Sequence, residues 1–131
     1  MTNESVWREK LKPHLREWLL EEIKRGHREE SIALMTRMID RSPADPDYAY
    51  ARGEIYRLRA AQNDLEAAVA DYERAARIGS EPPETHRGLG LIYRLRKQDA
   101  DAKASFERYL KLAPDAPDSL LIKSYMEESV T

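Results

Sequence analysis

The chain has 131 residues, enough for one compact domain with its own core and too few for two. Charged side chains make up 35% of it, yet 22 Lys and Arg against 24 Asp and Glu leave a net charge of −2, so no general positive field attracts nucleic acid or an anionic membrane surface. The absence of cysteine excludes disulfide staples, thiolate zinc sites and cysteine nucleophiles, and 41% hydrophobic residues exclude wholesale disorder.

No apolar run approaches the roughly 20 residues of a membrane span, and the polar opening Met1-Thr2-Asn3-Glu4 is unlike a signal peptide. The expectation is a soluble chain, cytoplasmic by default and periplasmic if it is a domain of a larger exported protein.

In chain order, Val6, Trp7 and Leu11 continue the apolar phase of Leu15 and Trp18. Pro13 interrupts them, which predicts either one kinked helix or two short ones. Gly26 marks a turn before a stretch carrying Ser31, Met35 and Met38 and ending near Pro43. Asp45-Pro46 reads as an N-cap followed by proline at the first helical position. Asn63 with Glu66 three residues on has the form of a capping box opening the next helix. Pro82-Pro83-Glu84 opens another, and Ala113-Pro114 closes the one after. The segment 117–130, with Leu120, Leu121, Ile122, Tyr125 and Met126, reads as a terminal capping helix, its outer face kept soluble by Asp118, Glu127 and Glu128. Leu89, Ile92, Tyr93 and Arg96 recur at three- and four-residue spacings, and no segment sustains strand alternation. The fold class is therefore all-α, with helices in antiparallel pairs.

The chain also repeats itself. Gly53-Glu54-Ile55-Tyr56-Arg57-Leu58-Arg59 returns as Gly90-Leu91-Ile92-Tyr93-Arg94-Leu95-Arg96, six of seven residues identical at an offset of 37. Ala68-Val69-Ala70-Asp71-Tyr72-Glu73-Arg74 aligns with Ala102-Lys103-Ala104-Ser105-Phe106-Glu107-Arg108 at an offset of 34. The earlier copy thus carries three extra residues around Ala60 to Gln62, which lengthen its first helix or the turn after it.

These residues resemble the tetratricopeptide repeats, whose pattern is Trp, Leu-Gly, Tyr, Ala, Phe and Pro across 34 residues. The best-matched copy supplies His86, Leu89-Gly90, Tyr93, Ala102, Phe106 and Pro114, departing at the first position. The preceding copy supplies Gly53, Tyr56, Ala68, Tyr72 and Ala75, with Arg52 where leucine is usual and Ser80 where proline is usual. A degenerate copy fits Leu15, Trp18, Gly26, Ser31, Met35, Met38 and Pro43. The resemblance implies a superhelical solenoid of units 12–45, 46–82 and 83–116, an extension at 1–11 and a cap at 117–131. Small residues at Gly53, Gly90, Ala68 and Ala102 would let paired helices approach, with Tyr56, Tyr93, Tyr72 and Phe106 beside them.

No catalytic constellation is present in the sequence, and no cofactor or metal is expected. His14, His27 and His86 lie far apart without a second ligand at metal spacing. His86 stands at the family's tryptophan position and reads as a packing residue, and His27 as a surface one. Gly88 and Gly90 lie inside a predicted helix rather than in a phosphate loop. Tyr56, Tyr72 and Tyr93 fall on core positions of the repeat, so the aromatic content argues packing rather than nucleic-acid stacking.

The resemblance further implies that the first helix of each unit lines a concave groove. Carried onto this chain, its groove positions are Arg16, Leu20 and Ile23, then Tyr50, Glu54 and Arg57, then Arg87, Leu91 and Arg94. Residues 47–60 hold three arginines and two acids, and 84–97 four bases and one acid, whereas 115–131 hold one lysine and four acids. One reading is that these arginines pair with neighbouring acids. The sharper one is a groove for an acidic and apolar segment, with Arg57 and Arg94 on carboxylates and Tyr50, Leu20 and Leu91 as apolar anchors.

The expected function is a non-enzymatic protein-interaction module, with no nucleic acid and no membrane insertion. A secretion-type chaperone for an export client and a scaffolding domain of a larger envelope protein or enzyme are the alternatives, and homodimerisation is left open. The family's carboxylate clamp for chaperone tails is not matched: its places hold Arg16, Leu20, Ala51, Glu84 and Gly88, of which the first alone is chemically similar.

Overall fold

The computed structural model describes residues 6–128. Trp7–Leu11 winds as a π-turn and Lys12–His14 as a 3-10 turn, and the path runs on into helix α1 (Leu15–Lys24). Pro13 therefore neither splits this segment nor leaves it one regular helix. The winding is loose before the proline and tight through it, which accommodates a residue with no N–H to donate. Six helices follow: α2 (Arg28–Arg41), α3 (Pro46–Arg59), α4 (Asp64–Ile78), α5 (Glu84–Leu95), α6 (Asp99–Leu112) and α7 (Ser119–Glu128). No strand occurs among the described residues, so the fold is all-α.

Consecutive helices pack against each other, most closely α3 on α4 and α5 on α6. In addition α1 touches α3, and α3 touches α5. The odd-numbered helices thus form one layer and the even-numbered ones another, the two-layered solenoid of stacked helix pairs.

The turns set this geometry locally. Asp45 caps α3 by accepting from the Asp47 amide at 3.0 Å, and the same carboxylate takes the ammonium of Lys12, tying the N-terminal segment to the start of α3. Asn63 corrects the expected capping box: it sits at φ 68° and makes no side-chain cap bond. Its neighbour Asp64 does the work instead, accepting from the Ala61 amide at 2.8 Å and from Arg59 at 2.7 and 2.9 Å. The three extra residues Ala60 to Gln62 lie wholly in the turn at 60–63, after the last residue of α3. Ala60 closes α3 in the left-handed conformation at φ 50°, so the insertion lengthens the turn and not the helix.

Close approach of the helices depends on three glycines. A β-carbon on Gly53 would lie 3.0 Å from the Tyr72 ring. One on Gly88 would overlap the same ring from the other side, and one on Gly90 would overlap Phe106. Tyr72 of α4 is thus wedged between α3 of its own pair and α5 of the next, with none of its surface exposed. Burying an aromatic ring of this size stabilises by about 2–3 kcal/mol.

The core has two parts. One runs from Trp7 through Met35, Met38, Tyr48, Ile55 and Tyr72 to Ile92, with Trp7 edge-on to Trp18 at 4.6 Å. The other gathers Ala102, Phe106 and Tyr109 of α6 around the fully buried Ile122 of α7. Helix α7 therefore covers the last pair, half-burying Tyr125 and Met126, while Leu120 and Leu121 on its other side remain exposed.

Candidate functional site

Arg16 and Leu20 stand one turn apart on α1, hence on one face, and both reach water: the Arg16 side chain is 61% exposed and Leu20 66%. Ile23 is half-buried against the core. On α3, Tyr50 is only 4% exposed, so it forms the floor of the face rather than a free anchor. Leu91 on α5 is likewise partly committed, packing on the Phe106 cluster.

The arginines have partners within the chain. Arg16 reaches Glu84, the first residue of α5, at 2.6 Å. Arg87 donates to Asp118, just before α7, at 2.5 Å, and Tyr109 donates to the same carboxylate at 2.6 Å. Arg94 lies over the Tyr125 ring at 3.9 Å and donates to Glu128 at 2.6 Å. Arg57 is the most enclosed. Its Nε donates to the Tyr72 hydroxyl at 3.1 Å, that hydroxyl donates to Glu54 at 2.5 Å, and Arg57 closes the triangle on Glu54 at 3.3 Å. The expectation that Arg57 contacts a partner's carboxylate meets an arginine already bonded to Glu54 and Tyr72 within the chain. The reading in which the arginines pair with neighbouring acids describes these contacts.

The electrostatics follow from this enclosure. Burial, reinforced by Glu54 and Glu84, pushes the Tyr50 phenol far above its ordinary range. Burial and Glu54 do the same to Tyr72. Burial opposes the Arg57 cation, but Glu54 and Tyr72 outweigh it and hold the guanidinium firmly charged. Asp47 is raised by burial and by Asp45, which outweigh Lys12 and Arg16.

A cleft of about 490 Å³ opens between the 3-10 turn, the starts of α1 and α3, and the loop into α5, with Arg16, Asp47, Tyr50, Pro82 and Pro83 among its walls. The structure therefore brings Arg16 and Tyr50 to one cavity. Arg94 lies at a second, smaller one beside Leu95, Lys97 and Tyr125. The histidines each meet a carboxylate: His14 with Glu17 at 3.1 Å, His27 with Glu22 at 2.7 Å and His86 with Glu81 at 3.0 Å. Among the described residues no three metal-binding side chains gather, and no helix is long and apolar enough to cross a membrane.

Sequence reasoning missed the acids that answer the arginines. A signal was present: Asp47, Glu84 and Asp118 recur at offsets of 37 and 34, the repeat's own spacing, so α3, α5 and α7 each begin beside a carboxylate. Tyr72 was read as core alone, although its hydroxyl belongs to the inner-face network. Tyr125 and Glu128 were assigned to a cap and not to the arginine beside them.

One family description, that of the tetratricopeptide repeat, matches residues 17–78 and again, overlapping, residues 57–117. No curated protein and no solved structure matches the chain. Repeats of this family generally mediate protein–protein interaction. With two overlapping matches over most of its length and the layered helix pairs that such repeats build, the chain belongs to the tetratricopeptide repeat family.

Proposed function

We propose that the chain is a non-enzymatic protein-interaction module whose inner helices α1, α3 and α5 hold an acidic, leucine-bearing segment of a partner protein. The observation that carries this reading is Leu20, 66% exposed one turn from Arg16 on the inner face. An exposed leucine beside an exposed guanidinium offers an apolar contact and a charged one at helical spacing.

The acid preference follows from which ion pairs are exchangeable. Arg16 is 61% exposed and Arg94 40%, with Glu128 opposite it 61% exposed. The Arg94–Glu128 pair, open to water at both ends, holds only about 0–1 kcal/mol, so a partner's carboxylate replaces the internal one at little cost. Glu84 opposite Arg16 is only 24% exposed and yields less readily. Arg57, with a side chain 16% exposed and bonded to both Glu54 and Tyr72, serves the fold instead. The reading as a holder of unfolded export clients draws on the additional N-terminal turn with its buried Trp7. It calls for an apolar inner face, however, and this one carries ion pairs from Arg16 to Arg94.

A peptide array of glutamate- and leucine-rich segments tests the proposal. Binding by the wild type that falls about tenfold, or 1.4 kcal/mol, in Arg16→Glu/Arg94→Glu and further on adding Leu20→Asp is the expected outcome. Equal binding by the folded variants overturns it.

A further inference from the structure

A stacked repeat protein makes its contacts between adjacent units. The ion pair between Arg16 in α1 and Glu84 in α5 is an exception, because it passes across the intervening inner helix α3. What lies beneath is Tyr50. Its phenol is within electrostatic reach of Arg16, Glu84, Glu54 and Arg57, and Arg16 and Tyr50 share the walls of one cleft. On the inward side the Tyr50 ring meets Tyr72 at 6.4 Å.

Tyr50 precedes Glu54 and Arg57 by one and two turns on α3, so it faces the same way as they do. A side chain there would be expected to reach solvent, and it is 4% exposed. The charged ends of four long side chains, Arg16, Glu84, Glu54 and Arg57, lie close enough to act on its phenol. Of the two flanking pairs, Glu54 with Arg57 is anchored by the Tyr72 hydroxyl, whereas Arg16 with Glu84 is held at the α1 end by a side chain mostly in water.

We infer that Arg16 and Glu84 form a strap across the inner face, closed over Tyr50 in this structure, whose opening uncovers the Tyr50 ring. Only the role of the uncovered ring, as the aromatic anchor for a bound segment, rests on the interaction reading above. The strap itself is a property of the chain alone. Because one end is solvated, a modest competing charge or added salt shifts it, and the change at the centre of the face is large: a tyrosine moves from covered to accessible.

Acetylation of tyrosine hydroxyls by N-acetylimidazole, read residue by residue by mass spectrometry, tests the strap without any partner. In Arg16→Gln and in Glu84→Gln the labelling rate of Tyr50 is expected to rise about five-fold, the population shift that one exposed ion pair can hold. The double variant adds nothing further, Arg94→Gln leaves Tyr50 unchanged, and the fully buried Tyr72 stays protected throughout. A Tyr50 rate equal to wild type in both single variants, with Tyr72 still protected, overturns the proposal. If the variants label at Tyr72 as well, they have lost the fold, and the wild type decides the question. Its Tyr50 rate relative to Tyr93 rises with sodium chloride if the strap is real, and a flat response overturns it. A failed peptide array alongside a positive labelling result removes the interaction reading and leaves the strap standing.

Discussion

Arg52 of α3 grips Asp71 of α4 through two parallel bonds, Nε to Oδ2 at 2.8 Å and Nη2 to Oδ1 at 2.7 Å. Its remaining nitrogen donates to the Thr36 hydroxyl of α2 at 3.1 Å, so one guanidinium joins three helices. Arg52 stands where the repeat usually has leucine, and the structure explains the departure as a bidentate pair in place of an apolar contact. The Asp71 side chain is 5% exposed, and burial raises its carboxyl above the ordinary range although Arg52 opposes the rise.

Removing one member of such a pair leaves the other enclosed and unanswered. Asp71→Ala is expected to cost about 3 kcal/mol in urea unfolding, whereas Arg52→Leu/Asp71→Leu, which removes both charges, comes out within about 1 kcal/mol of wild type. A double variant as unstable as the single one would show that the helix junction depends on packing by the arginine stem and not on the charge pair.

Glycine to alanine inside a helix normally stabilises by about 1 kcal/mol. At Gly88 the sign reverses, because the added methyl group overlaps the Tyr72 ring. Gly88→Ala is expected to destabilise by about 1–3 kcal/mol through overpacking, and trimming the wedge in Gly88→Ala/Tyr72→Leu recovers part of the loss. Additive costs in the double variant, measured by thermal unfolding, would separate the two residues and contradict the wedge.

These two sites mark what could be read from the chain before folding. Gly53, Gly90 and their aromatic partners were legible because each pair belongs to the repeat pattern, and spacing along a helix fixes which residues face each other. The packing role of Gly88 was not legible because its partner, Tyr72, belongs to the preceding pair. A contact between units depends on how the stack is wound, and no local period reports it. The expected groove positions lie on α1, α3 and α5, and their exposure was not legible. Whether Arg57 is free or held depends on a tyrosine 15 residues away, and whether Arg87 and Arg94 are free depends on where α7 docks.

Tyr72→Phe keeps the wedge and deletes only the hydroxyl that joins Glu54 to Arg57. The loss of a hydroxyl bonded to charged groups in this enclosed position is expected to cost about 1–3 kcal/mol. Hydrogen exchange should then quicken at the facing parts of α3 and α4, with α6 unaffected. Uniform quickening across all helices would mean that the hydroxyl supports the whole fold rather than the inner face.

The docking of α7 carries a pH dependence whose sign can be worked out. Burial pushes the Asp118 carboxyl up, but the bonds from Tyr109 and Arg87 outweigh it and hold its pKa below the ordinary carboxylate value. Burial, with the same bond, raises the Tyr109 phenol to about 12. A carboxyl depressed in the folded state favours folding above its unfolded value of about 3.9, and this contribution fades as pH falls through the folded value. Asp118 precedes the first residue of α7, so its protonation releases Arg87 and weakens that end of the helix. Acidification below about pH 4 should therefore loosen α7 before the α3–α4 pair, seen as earlier hydrogen exchange at Ile122 than at Ile55. Asp118→Asn should show the loosened α7 already at neutral pH, with little further change on acidification over the same range. If the variant keeps the wild-type acid response at Ile122, the acid sensitivity of α7 arises elsewhere.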